Sequence, residues 1–157
     1  MSERGNDGPA PDPDEELGAL RGVAIALAAS PLVAVGIVLA LPPPSPWRGL
    51  VAPAALFGIV ALAVGHRAYQ SILGRTRASA APRQRLSALR RATIAALAVT
   101  EAVALFGVVA FHLSREPYAL VGVATHLVVA GGVWPTRARL QGVLDPTEFS
   151  GSRSPES

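Results

Sequence analysis

The sequence has no cysteine and no lysine. The first absence excludes disulfides, thiol nucleophiles and cysteine metal ligands. The second leaves arginine as every basic residue other than histidine, which, beside so much Ala, Gly and Pro, fits the codon usage of a GC-rich bacterial genome. Aromatic residues make up only 5% of the chain, and the Trp and Tyr among them (Trp47, Tyr69, Tyr118 and Trp134) each stand beside the end of an apolar run. Acidic residues are missing from almost the whole middle of the chain: between Leu17 and Arg115 there is Glu101 and no other. A soluble domain would carry charge throughout its length. Long uncharged runs separated by basic connections, with a mean hydropathy of +0.39, indicate an integral membrane protein. The net charge of +3 and the pI near 10.5 do not point to nucleic acid, because the arginines flank apolar runs as the positive-inside rule requires.

Residues 1–17 are acidic and rich in Pro and Gly, and read as a disordered tail. They are too long and too acidic for the start of a signal peptide. The first transmembrane helix is expected over 18–41. Its stretch Gly22–Leu41 has 20 uncharged residues, enough for a hydrocarbon core of about 30 Å, and Pro31 is positioned to kink it. The second helix is expected over 49–73, its His66–Leu73 end reaching the headgroups by snorkelling. A basic cytoplasmic loop and helix start follow at 74–91, then the third helix at 92–113. Ser114–Pro117 is a tight turn, and the fourth helix covers 117–134. Thr136 suits the N-cap of an amphipathic helix at 136–144 carrying Leu140, Val143 and Leu144. Residues 145–157 read as a second disordered tail.

The arginines set the orientation. They gather before the first helix, between the second and third, and after the fourth, leaving Arg48 and Arg115 in the other two connections. The sequence therefore predicts an all-α integral membrane fold of four transmembrane helices in two hairpins, with both termini cytoplasmic and a short C-terminal interfacial helix. The expected location is the bacterial cytoplasmic (inner) membrane. Arg75, Arg77, Arg83, Arg85, Arg90 and Arg91 serve as topology signals that can also meet anionic headgroups.

Glu101 is the candidate site. It is the tenth residue of the uncharged run Ala92–Leu113, near mid-bilayer, where an acidic side chain costs about 2.5–3.5 kcal/mol. His126 lies at similar depth on the fourth helix, so a Glu101–His126 contact, with Thr125 or Thr100 beside it, is the expected pairing. His126 also reads as a satisfied core histidine. His66 and His112 belong to opposite edges of the membrane, so the histidines do not converge on a metal. Small residues recur at spacing four (Gly22 and Ala26, Ala24 and Ala28, Ala54 and Gly58, Ala61 and Gly65, Ala98 and Ala102), which permits close helix contact.

The basic connection contains Arg83-Gln84-Arg85, and the third helix reads Glu101-Ala102-Val103-Ala104-Leu105-Phe106-Gly107-Val108-Val109. Together the segment from Pro82 to Leu113 resembles the loop and second helix of the F-type ATP synthase c subunit, the proteolipid of the rotor ring. That family has a cytoplasmic Arg-Gln-Pro loop, with Arg85 standing here for the proline, and a helix with a mid-membrane carboxylate. The resemblance implies that Glu101 is a reversible proton site and that Arg83 and Gln84 are the loop's polar residues. The whole chain is similar to small four-helix bacterial membrane proteins of unknown function that share a Glu-containing third helix and an aromatic-Pro-Thr-Arg exit, here Trp134-Pro135-Thr136-Arg137. Small multidrug transporters differ in placing their carboxylate on the first helix, in an aromatic-rich cavity.

These observations imply a membrane-embedded accessory or assembly factor, not an enzyme, with no cofactor or metal. Glu101 would mediate a helix or subunit contact. The partners are the lipid bilayer and another membrane protein or a second copy of the chain. The alternative is a proton-binding subunit or transporter that uses Glu101 as the carrier.

Overall fold

The computed structural model describes residues 13–42, 44, 48–76 and 81–144. The expectations for residues 1–12, for Trp47 and Arg77, and for the tail at 145–157 lie outside the described residues. Five α-helices are seen among those described: α1 (Pro13–Ala40), α2 (Val51–Gly74), α3 (Pro82–Ser114), α4 (Val121–Gly132) and α5 (Arg137–Leu144), with a 3-10 turn at Pro117–Leu120 leading into α4. Three of them, α1, α2 and α3, are long and apolar enough to cross a membrane. The stretch Pro117–Gly132 is apolar but shorter, about 26 Å by its rise per residue.

α1 begins before residue 18, at Pro13. The acidic residues assigned to a tail are its first turn: Asp14, Glu15 and Glu16 sit where the helix macrodipole favours negative charge. Asp14 also pairs with Arg137 at 3.1 Å, and Leu17 is buried against Leu89 and Leu140. The second half of the basic connection is helical too, since α3 starts at Pro82, whose fixed φ suits a first turn. α3 ends on Arg115, whose φ of 58° is left-handed and whose N–H returns to the Phe111 carbonyl.

α3 is the centre. It packs against α1, α2 and α4, and its buried residues run from Ala88 to Ser114. α2 and α4 run parallel to each other, with Gly58 against Gly122 and Gly65 beside Val129. Both oppose α3, where Gly65 meets Thr100 and Ala54 clusters with Ala110. α1 runs parallel to α3, with Leu17 beside Leu89 and Ala24 beside Ala96. The helices thus alternate in direction along the chain.

The expected first hairpin does not form. Among the described residues the backbones of α1 and α2 do not approach each other, because the α3–α4 pair stands between them. The small faces of α3 and α4 explain this. A Cβ on Gly122 would come 2.9 Å from the Val103 carbonyl oxygen, and one on Gly107 would come 2.5 Å from that of Ala119. Backbones this close pack α3 against the 3-10 turn and α4, and α2 comes as near to α4 from its own side, a Cβ on Gly58 falling 2.7 Å from the Gly122 nitrogen. Large apolar side chains, such as Ile25, Val33 and Ile37 of α1 and Leu56, Ile59 and Val60 of α2, face outward, as lipid contact would have it. α5 folds under one end of the bundle. Thr136 caps it, its Oγ1 accepting the Arg139 N–H at 3.2 Å, and Leu140 is buried between α1 and α3.

Candidate functional site

Glu101 is half-buried on α3 where that helix meets α1. Its Oε1 accepts the hydroxyl proton of Ser30 on α1. Ser30 is the one hydroxyl residue in the apolar stretch Gly22–Leu41, and because α1 and α3 are parallel it arrives at the depth of Glu101.

His126 makes a different set of contacts, and the expected Glu101–His126 pairing is corrected here. No hydrogen bond or ion pair joins them. The His126 ring is fully buried. Its Nδ1 lies 2.8 Å from Thr100 Oγ1, and its Nε2 lies 3.1 Å from the carbonyl oxygen of Leu27 on α1. A carbonyl can only accept, so Nε2 carries the ring proton; Nδ1 of the neutral ring then accepts from the Thr100 hydroxyl. Thr100 Oγ1 also lies 3.0 Å from the Ala96 carbonyl oxygen, an alternative acceptor for its single proton. Thr125 is buried one residue before His126 and takes no part in the Glu101 contact.

The Leu27 carbonyl is free for His126 because of Pro31. In an uninterrupted helix the N–H of residue 31 would bond to the carbonyl of residue 27, and proline has none. Pro31 lies inside α1 and is fully buried. The proline expected to kink the helix thus also creates an acceptor, and α4 supplies its donor.

Other polar contacts join α1 to the same two helices. Arg21 Nε donates to the Pro135 carbonyl at 3.2 Å. At the far end Arg115 donates to the carbonyls of Val38 and Leu41 at 3.3 and 2.9 Å. Along α1, then, Asp14, Arg21, Leu27, Ser30 and Val38 each reach α3, α4 or the segment after α4. The arginines of the basic connection gather at one end of the bundle: Arg75 follows α2, and Arg83, Arg85, Arg90 and Arg91 lie in the first turns of α3. Among the described residues no three His, Asp or Glu side chains converge as metal ligands would.

Sequence reasoning located Glu101, His126 and Thr100 but missed Ser30 and the Leu27 carbonyl. The available signals were the solitary hydroxyl in the first run and the i, i−4 relation of Pro31 to Leu27. In comparisons with known proteins, no family model, curated protein or solved structure matches this chain.

Proposed function

We propose that this chain is a small, non-enzymatic accessory or assembly factor of the bacterial cytoplasmic membrane. It spans the membrane four times with both termini in the cytoplasm, and its Glu101 is a helix contact. The observation that carries this reading is the engagement of Glu101 by Ser30. A proton relay between Glu101 and the ionisable group at its depth finds no support, because His126 is engaged elsewhere. An interhelical hydrogen bond in a membrane contributes roughly 0.6–2 kcal/mol. Several in a row position a helix that has little packed surface, which is the situation of α1.

The alternating helix directions support four spans, with Val133 and Trp134 extending the short fourth one. The test uses the absence of native cysteine. Cysteines placed at Ala24 and Ala96 report α1–α3 contact by cross-linking in membranes. Glu101→Gln keeps an acceptor for Ser30 and preserves the cross-link, whereas Glu101→Leu weakens it. If cross-linking is the same in all three proteins while Glu101→Gln abolishes proton movement into vesicles, the carrier reading replaces this one.

A further inference from the structure

A groove of about 530 Å³ opens between α2 and α4. One part of its wall is apolar, formed by Ile59, Leu62 and Ala63 of α2 and Val128 of α4. Toward the basic end of the bundle it becomes polar, with His66 and Gln70 on α2 and Arg139 on α5. Ile59 and Gln70 are about 16 Å apart along the helix axis. Among the described residues no acidic side chain lines the groove.

Arg139 gives this groove a chemical preference. Its Nη1 is buried and has no hydrogen-bond partner among the described residues. A guanidinium N–H enclosed without an acceptor is costly, and the preferred acceptor is an anionic oxygen. No described residue lining the groove offers one, and Asp14, at the same end of the bundle, is paired with Arg137. The groove therefore asks for a molecule that is apolar along its length and anionic at one end, entering at the level where α2 turns from apolar to polar residues.

We propose that this groove binds an anionic phospholipid, one acyl chain lying between α2 and α4 and the phosphate meeting Arg139. A zwitterionic headgroup would bring its own cation to an edge that already carries Arg67, Arg75 and Arg139. A free phosphate would leave the apolar wall unused. The proposal rests on membrane embedding alone and is independent of the role of Glu101.

The glycines at the end of α4 make a sharp test. Gly132 lines the groove, and a Cβ there meets nothing within 4 Å, so Gly132→Trp fills the space without displacing backbone. Gly131 is equally open but does not line the groove, and Gly131→Trp is the matched control. The full-length protein in mild detergent is mixed with phosphatidylglycerol, with phosphatidylcholine of the same chains, or with inorganic phosphate, and adducts are counted by native mass spectrometry. The wild type and Gly131→Trp should retain phosphatidylglycerol over phosphatidylcholine by roughly tenfold, the scale of one charge-assisted hydrogen bond. Arg139→Gln should erase that preference, Gly132→Trp should lose both lipids, and the exposed Arg90→Gln should change nothing. A preference that survives both Arg139→Gln and Gly132→Trp overturns the site. So does one that falls equally with Arg90→Gln, or wild-type binding of phosphate as tight as that of the lipid. Should Arg139→Gln fail to fold, the Gly132→Trp and Gly131→Trp pair decides.

Discussion

Thr100 and Glu101 are consecutive, so they leave α3 about 100° apart. That rotation sends Thr100 to His126 on α4 and Glu101 to Ser30 on α1. Depth was legible in the sequence: counting from the ends of the apolar runs puts Glu101 and His126 at one level. Direction around the helix was not, because it depends on which neighbour each face of α3 meets. The pairing expected from depth alone is therefore replaced by one with a hydroxyl that carries no charge and drew no notice. The consequence can be measured by double-mutant cycles on stability in detergent. Glu101→Leu with Ser30→Ala should show a coupling on the order of 0.6–2 kcal/mol, while Glu101→Leu with His126→Ala should be additive. A large second coupling and a zero first one would restore the discarded pairing. His126→Ala alone should be costly, since it leaves a cavity in a fully buried site and strips the proline-freed Leu27 carbonyl of its donor.

Helix elements were legible as apolar runs, but the helices reach beyond them: α1 begins at Pro13 and α3 at Pro82, ahead of the runs that start at Gly22 and Ala92. Which small-residue pairs make interfaces was not legible. The pairs Ala54–Gly58 and Ala61–Gly65 are buried and form the face of α2, whereas Ala98 and Ala102, spaced the same way on α3, are exposed. In an alanine-rich helix the spacing recurs on every side, and only a facing backbone makes it count. A Cβ on Gly58 would lie 2.7 Å from the Gly122 backbone nitrogen, while one on Gly36 meets nothing within 4 Å. Gly58→Val should then lower the thermal midpoint strongly and Gly36→Ala should leave it unchanged or raise it, because alanine is the better helix former. Equal effects would mean that the α2–α4 crossing is looser than the structure has it. The end of α3 offers a second case. Arg115 tolerates a left-handed backbone while its guanidinium holds two carbonyls of the α1 exit and stacks 5.9 Å from the Phe111 ring centroid. Arg115→Ala loses the contacts and keeps the strain; Arg115→Gly loses the contacts but not the backbone fit. Glycine should be the milder substitution by about 1 kcal/mol in unfolding measurements, and an alanine variant as stable as the glycine one would show that the backbone there is unstrained.

For the molecule as a whole, the segregation of charge that the sequence displays becomes a difference between the two ends of the bundle. One end collects Arg21, Arg67, Arg75, Arg83, Arg85, Arg90, Arg91, Arg137 and Arg139 around a cluster of Leu17, Leu89 and Leu140. The other end has Arg48 and Arg115. Both of these are engaged locally, Arg48 with Glu116 at 3.1 Å and Arg115 with the α1 carbonyls. The Arg48–Glu116 pair is largely exposed and adds little stability, but it offsets one of the few positive charges that end presents. What the sequence could not reveal is that α3 and α4 stand between α1 and α2, with α1 fastened by polar contacts and α2 by close backbones. The proposed orientation puts the crowded end in the cytoplasm, the side that the positive-inside rule favours for it. Single cysteines at the exposed positions Gln84 on α3, Ala138 on α5 and Gly49 before α2 test this in a background with no native thiol. In intact cells a membrane-impermeant maleimide should label Gly49→Cys and spare the other two until the membrane is opened. Labelling of Gln84→Cys or Ala138→Cys from outside would invert the orientation. It would also move the mouth of the α2–α4 groove, with Arg139 at its edge, to the outer leaflet.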